Sequence, residues 1–270
     1  MSSPLRIALI GAGNMGQQHY RHLQSLTEAT LCAVADPGPQ AAGLAAEWGV
    51  AYFADHRQML EQVKPDAVIV ANPNTLHVST ALDCLAVGVP VLLEKPVGVH
   101  RDEVRKLVSA SKATGVPVLV GHHRRHNPLI VRAYELVHSG ALGSLTGSDA
   151  VAAPWSWELD CGENPVYPRQ ADQPCYLLAG TGGALSIPQL KRWHYADTDG
   201  GWHQPLLTVQ ENFSADEALR LQLQHFVRVA RREVEPLVSV ADAARTLALI
   251  EAIREAAETG RACAPTLIEE

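Results

Sequence analysis

Over residues 1 to 125, short apolar runs alternate with stretches of helical periodicity. The β-rich runs are Leu5–Ile10, Thr30–Ala35, Ala67–Val70, Val89–Leu93 and Val116–Val120. Between them lie helix-like stretches at Met15–Ser25, Gln40–Glu47, Gln58–Gln62, Leu76–Val87 and Asp102–Thr114. Leu82, Leu85 and Ala86 recur at three-to-four spacing, and Gly88 follows as a helix stop. Val104, Leu107, Val108 and Ser111 share one face of the later helix, which Gly115 closes. Near-continuous apolar strands separated by helices predict a parallel sheet covered on both faces. Right-handed crossovers then give a doubly wound Rossmann-type α/β domain.

After Pro128 the pattern changes. A helix is predicted at Leu129–His138, ended by Gly140. Residues 141 to 213 are strand-like and rich in Gly, Pro and Trp. Candidate strands are Leu145–Val151, Leu177–Leu178 with Leu185–Ile187, Arg192–Tyr195 and Leu206–Val209. Amphipathic helices at Asp216–Arg232 and Val240–Thr259 follow. The expectation is a Rossmann domain over 1–122 and a second, smaller α+β domain over 123–270 with a largely antiparallel sheet.

Composition narrows the partners. A net charge of -7 over 270 residues argues against nucleic acid or an anionic membrane surface, which need a basic face. It leaves a small-molecule substrate open. No apolar run approaches the ~18 residues of a membrane span, and Met1–Arg6 lacks the pattern of a secretory signal. Cys32, Cys84, Cys161, Cys175 and Cys263 are scattered and form no Cys-x-x-Cys pair. They read as reduced thiols of a cytoplasmic protein without a metal site.

The strand Leu5–Ile10 runs directly into Gly11-Ala12-Gly13-Asn14-Met15-Gly16 and a helix. A Gly-x-Gly-x-x-Gly in that setting is a dinucleotide-binding signature. Gly11 permits the turn, Gly13 lets backbone approach a pyrophosphate, and Gly16 lets helix and strand pack closely. The helix N-terminus offers N–H groups to the phosphates. Asp36 ends the next strand, 20 residues after Gly16. It is placed to accept ribose hydroxyls and repel a 2′-phosphate, and Pro37-Gly38-Pro39 supplies no cation to neutralise one. NAD is therefore expected over NADP. Capping of its own turn is the other reading of Asp36.

Four further segments sharpen this picture: Val91-Leu92-Leu93-Glu94-Lys95-Pro96, Ala71-Asn72-Pro73-Asn74-Thr75-Leu76-His77, Gly121-His122-His123-Arg124-Arg125-His126-Asn127-Pro128 and Ser139–Leu145. Together with the glycine loop they resemble the Gfo/Idh/MocA family of oxidoreductases, which act mainly on sugars, inositols and related polyols. The resemblance covers residues 5 to 145 and resumes more loosely afterwards. It implies an NAD-dependent oxidoreductase acting on a CH–OH group. Lys95 would lie between nicotinamide and substrate as a buried ammonium, stabilising negative charge on the substrate oxygen, with a solvated loop lysine as the other reading of the residue. Glu94, Asn72, Pro73 and His77 would line the cofactor cleft, although His77 also suits a local hydrogen bond. His123 is the candidate acid–base group and Arg124 a substrate ligand, each also readable as part of a polar loop. The family commonly associates through its second sheet, so a homo-oligomer is expected.

The chain departs from the family in its second half. The family's Asp-x-Gly-x-His-x-x-Asp segment, source of its usual acid–base His, is absent from residues 140 to 270, and the second domain reads as shortened. General acid–base help contributes ~10²–10⁴-fold, so an NAD-binding protein with little or no catalysis is the second expectation. Trp155, Trp157 and Tyr167 form an aromatic, proline-rich stretch suited to stacking on a sugar ring, or to a core or subunit interface.

Overall fold

The computed structural model describes residues 3–150, 174–196, 203–214 and 216–267. The chain divides into two units, one holding Met1–His122 with Gln222–Glu270, the other His123–Leu221. In the first, strands β1 (Leu5–Ile10), β2 (Ala29–Ala35), β3 (Ala51–Phe53), β4 (Ala67–Val70), β5 (Val91–Glu94) and β6 (Val118–Gly121) form one sheet in the order β3-β2-β1-β4-β5-β6. All its pairings are parallel. Every residue of β4, β5 and β6 is buried, as helices on both faces require.

The helices are α1 (Asn14–Leu23), α2 (Ala41–Trp48), α3 (His56–Val63), α4 (His77–Ala86) and α5 (Arg101–Thr114). Their ends follow local chemistry. Asp55 caps α3 by accepting from the N–H groups of Arg57 and Gln58. Gly49 and Gly115 end α2 and α5 in the left-handed conformation. β3 has no counterpart in the predicted strands. It is three residues long, at the sheet edge and largely exposed, so it carries no apolar pattern.

The expected second domain, 123–270, is corrected at its C-terminal end. Along α7 (Ala218–Ala230) the chain returns to the first unit, and α8 (Val240–Thr259) belongs there entirely. Leu223, Phe226, Val227, Val238, Val240, Ala243 and Ala244 are part of the core around the parallel sheet. The Val120 N–H donates to the Val238 carbonyl at 2.8 Å, anchoring the α7–α8 connection beside β6. Amphipathicity showed that these helices bury a face; it carried no information about which sheet receives it.

The second unit holds α6 (Pro128–His138) and strands β7 (Leu145–Ala150), β8 (Tyr176–Gly180), β9 (Gly183–Ile187), β10 (Lys191–His194) and β11 (Leu207–Gln210). The sheet is antiparallel, in the order β11-β10-β9-β8-β7. Leu129, Ala133 and Leu136 on one face of α6 share a core with Leu142, Cys175, Leu185, Ile187 and Leu190. Trp155, Trp157 and Tyr167 lie outside the described residues. No helix among the described residues is long and apolar enough to cross a membrane.

Glu211 ties this unit together. Its carboxylate meets Arg132 of α6 at 2.8 Å and Arg192 of β10 at 3.1 Å, with 10% of the side chain exposed. Arg132 first, and Arg192 with it, hold the carboxyl below its ordinary 4.5. A folded-state value below the unfolded one stabilises fully above pH 4.5, and the stabilisation disappears as pH falls through the depressed folded value. Glu211→Gln should therefore cost about 1–2 kcal/mol at pH 7, after screening at the partly exposed arginines. Thermal denaturation should show a lower Tm for the variant at neutral pH and a gap that closes as pH falls through the depressed carboxyl value.

Candidate functional site

The carboxyl ends of β1, β2, β4, β5 and β6 deliver five loops to one edge of the parallel sheet. β1 and β4 are neighbours, with β2 and β3 to one side and β5 and β6 to the other. That reversal of strand order is the switch point at which open α/β sheets bind ligands. Gly11 leaves β1 with φ +97°, and a Cβ there would stand 2.5 Å from the Ala71 carbonyl carbon and oxygen. A Cβ on Gly16 would stand 2.0 Å from the Gly11 oxygen. Gly13 differs from both: it is exposed, and no heavy atom lies within 4 Å of where its Cβ would be. It occupies the N-cap of α1, which no side chain caps. Asn14 beside it is exposed and Met15 half-buried. Two glycines thus serve internal packing, and the third opens space in front of main-chain N–H groups.

Asp36, half-buried after β2, accepts the Ala12 N–H at 2.7 Å and the Gly38 N–H at 2.6 Å. It braces the glycine turn, and each oxygen keeps lone-pair capacity for a further donor. The capping reading of this residue is thus realised. Asn72 donates from Nδ2 to Thr80 Oγ1 at 2.9 Å, while its buried Oδ1 has no hydrogen-bond partner. Pro73, exposed, leads into a 3₁₀ turn at Asn74–Leu76.

Two expected cleft residues are interior instead. Glu94 is 3% exposed and turns beneath the loops, where Oε1 meets Nε2 of the buried His19 at 2.8 Å and Oε2 accepts the Lys95 N–H at 3.2 Å. Gly121 of β6 leaves room for this carboxyl group; a Cβ there would come within 2.9 Å of Oε1. His77 is 0% exposed, with Nδ1 2.7 Å from the Pro96 carbonyl oxygen and Nε2 3.0 Å from that of Asn72. Both residues end up inside because they satisfy backbone groups at strand and loop ends that water does not reach. Lys95 is the reverse case. Expected buried, it is exposed, directly after β5 and before a cis Lys95–Pro96 peptide.

The first unit therefore assembles Gly11 to Gly16, Asp36, Asn72, Pro73 and Lys95 along one sheet edge, with Glu94 and His77 beneath. His123 and Arg124 belong to the second unit, in a 3₁₀ turn at His123–His126. Arg124 is exposed and His123 half-buried. His19 was not among the expected site residues, yet the sequence holds a signal for it. Gly16, His19 and Leu23 fall at three-to-four spacing on the buried face of α1, so a histidine on an apolar stripe needed an internal partner. The first unit also holds a cavity of about 470 Å³. Val116, Val118, Arg232 and Val240 line it where the chain enters β6, and none of the site residues does.

Comparison with known proteins agrees with this arrangement. Residues 5–122 match the Gfo/Idh/MocA group, described as an oxidoreductase family with an NAD-binding Rossmann fold. The chain is 34% identical over 140 residues to the rhizopine catabolism protein MocA of Rhizobium meliloti, covering 52% of this chain and 44% of that protein. It is 33% identical over 183 residues to inositol 2-dehydrogenase 2 of Saccharopolyspora erythraea, covering 66% and 50% respectively. The chain thus spans half or less of the length of these curated relatives. In fold it is similar to an oxidoreductase from Agrobacterium radiobacter crystallised with NAD+, L-tartaric acid and magnesium, with a TM-score of 0.76 at 16% identity over 95% of this chain and 97% of that one.

The three glycines predict a contrast. Gly16→Ala forces a Cβ onto the Gly11 carbonyl and should cost about 2–3 kcal/mol, lowering Tm by roughly 5–10 °C. Gly13→Ala meets nothing and should leave Tm within about 2 °C of wild type. Differential scanning calorimetry of the two variants distinguishes packing glycines from a glycine kept for a ligand.

Proposed function

We propose, from the match of residues 5–122 to the Gfo/Idh/MocA family, that the chain is an NAD-dependent oxidoreductase acting on a CH–OH group of a sugar, polyol or related small molecule. One observation carries the reading: open space at Gly13 before an uncapped helix N-terminus, at the switch point, with Lys95 at a nearby strand end. The residues fit a dinucleotide. Main-chain N–H groups from Gly13 into α1 would hold the pyrophosphate. Asp36 would accept the adenine-ribose hydroxyls while its charge excludes a 2′-phosphate. Asn72, with an unpartnered buried Oδ1, and Pro73 would border the nicotinamide. NAD, when bound, supplies the hydride acceptor.

The chain's own chemistry rests on Lys95. As the substrate carbon gives up a hydride, its hydroxyl loses a proton and the oxygen gains negative charge. An ammonium beside that oxygen stabilises the change, more strongly once substrate and cofactor exclude water. His123 is assigned as proton acceptor on chain position, two residues past β6, and Arg124 as a ligand for a substrate oxygen on the same ground. Trp155, Trp157 and Tyr167 are assigned to stacking on the substrate from their sequence alone. A homo-oligomer formed through the second sheet belongs to the same reading.

A second reading, an NAD-binding protein with little or no turnover, is favoured by two observations. Lys95 is exposed, and residues 140 to 270 lack the Asp-x-Gly-x-His-x-x-Asp segment. NADH formation across a panel of inositols, glucosides and sugar acids decides between the two. The main reading expects turnover that falls by about 10²-fold or more in Lys95→Ala; undiminished turnover in that variant removes the proposed chemistry. NAD binding by calorimetry with a blank panel selects the second reading. On the cofactor side, Asp36→Asn keeps an acceptor but removes the charge, so the preference for NAD over NADP should narrow by about 10-fold in titrations of both cofactors.

A further inference from the structure

The exposed Lys95 side chain has no hydrogen bond or ion pair of its own among the described residues. Where its ammonium arrives is therefore set by how its backbone is held. That backbone is fixed from two sides. On one, Glu94 Oε2 accepts the Lys95 N–H at 3.2 Å, and Glu94 Oε1 is itself held by His19 Nε2 at 2.8 Å. Nδ1 of His19 is buried with no partner, so the ring's N–H belongs on Nε2, facing the carboxyl group. His19 stands on α1, the helix that opens at the glycine turn. On the other side His77 Nδ1 lies 2.7 Å from the next carbonyl oxygen, that of Pro96, and Nε2 lies 3.0 Å from the Asn72 carbonyl oxygen in the β4 exit loop, the neutral ring donating to one of the two. His19, His77 and Glu94 are all buried, and each has a polar atom within hydrogen-bond distance of the backbone around Lys95 or of the side chain that holds it.

We propose that His19 and His77 are positioning residues, which through Glu94 and the Pro96 carbonyl lock the Lys95 backbone to the glycine-turn helix and to the β4 exit. The proposal rests on the reading of Lys95 as the group that meets the substrate oxygen. Apolar residues at 19 and 77 would fill the same space for packing alone. Histidine adds a directed hydrogen bond, and displacement of a reacting group by about 1 Å can cost 10²-fold in rate.

The test compares His19→Leu, which removes the donor, with His19→Gln, whose amide nitrogen reaches about as far as Nε2. Three quantities are measured: NAD affinity by calorimetry, kcat and KM on the substrate found in the panel, and hydrogen exchange of the Lys95 amide. His19→Leu should exchange that amide about 10-fold faster and lose about 10–100-fold in kcat, with KM and NAD affinity within about 3-fold of wild type. His19→Gln should recover both to within about 3-fold. His77→Asn, which keeps a donor near Nδ1, should likewise stay closer to wild type than His77→Leu. Leucine variants that match wild type in exchange and kcat overturn the proposal. So do glutamine and asparagine variants no better than the leucine ones. If His19→Leu does not fold, Lys95 amide exchange in His19→Gln decides, a wild-type rate supporting the proposal and a 10-fold faster one overturning it. If the wild-type chain turns over no substrate, the enzymatic reading alone fails, and amide exchange still decides the positioning claim.

Discussion

Everything at this site depends on how closely the backbone leaving β1 packs on the backbone leaving β4. Gly11 lies against Ala71 and Asn72, and Gly16 against the Gly11 carbonyl, at separations no side chain tolerates. The Ala71 N–H donates to the Ile10 carbonyl at 2.8 Å, extending the parallel ladder to the last residue before the turn. That contact brings the start of α1 down onto the sheet edge, so that of the three glycines only Gly13 faces open space. Strand order does the rest, since crossovers running in opposite directions from β1 and β4 leave no connection across the gap.

Around this contact, buried and half-buried polar side chains serve the backbone. Asp36 holds Ala12 and Gly38, Glu94 holds Lys95, and His77 lies between the Pro96 and Asn72 carbonyls, donating to one of them. A loop at the end of a buried strand has N–H and C=O groups that neither the sheet nor water satisfies, and leaving them unpaired is costly. Supplying partners from neighbouring loops satisfies those groups and rigidifies the rim at the same time. The groups left toward solvent, Gly13, Asn14, Pro73 and Lys95, then stand on a fixed frame. In the second unit Glu211 does similar service by joining α6 to β10 through two arginines.

Local signals carried much of the fold. The limits of α8 match the predicted Val240–Thr259, where Ser239 caps one end and Gly260 closes the other, and the glycine turn was readable because its spacing encodes a backbone geometry. The burial of β4 to β6 on both faces followed from uninterrupted apolar runs. β3 was invisible, being three exposed residues whose only tie is pairing with β2. The buried roles of Glu94 and His77 were invisible too. A charged or polar residue at a strand end looks alike in sequence whether it turns outward to a ligand or inward to a loop.

Sequence by itself determined the alternation of strands and helices, the glycine turn with its following acid, and the resemblance of the Rossmann unit to the Gfo/Idh/MocA family. These depend on periodicity and on residues a few positions apart, interactions the chain makes with itself locally. Tertiary structure alone decided that the last two helices join the parallel sheet, that Glu94 pairs with a histidine 75 residues away, and that Lys95 is exposed. Those outcomes depend on which distant surfaces meet. Pairing between distant segments is selected by the burial and hydrogen bonding of the whole assembly, and no window of sequence contains it.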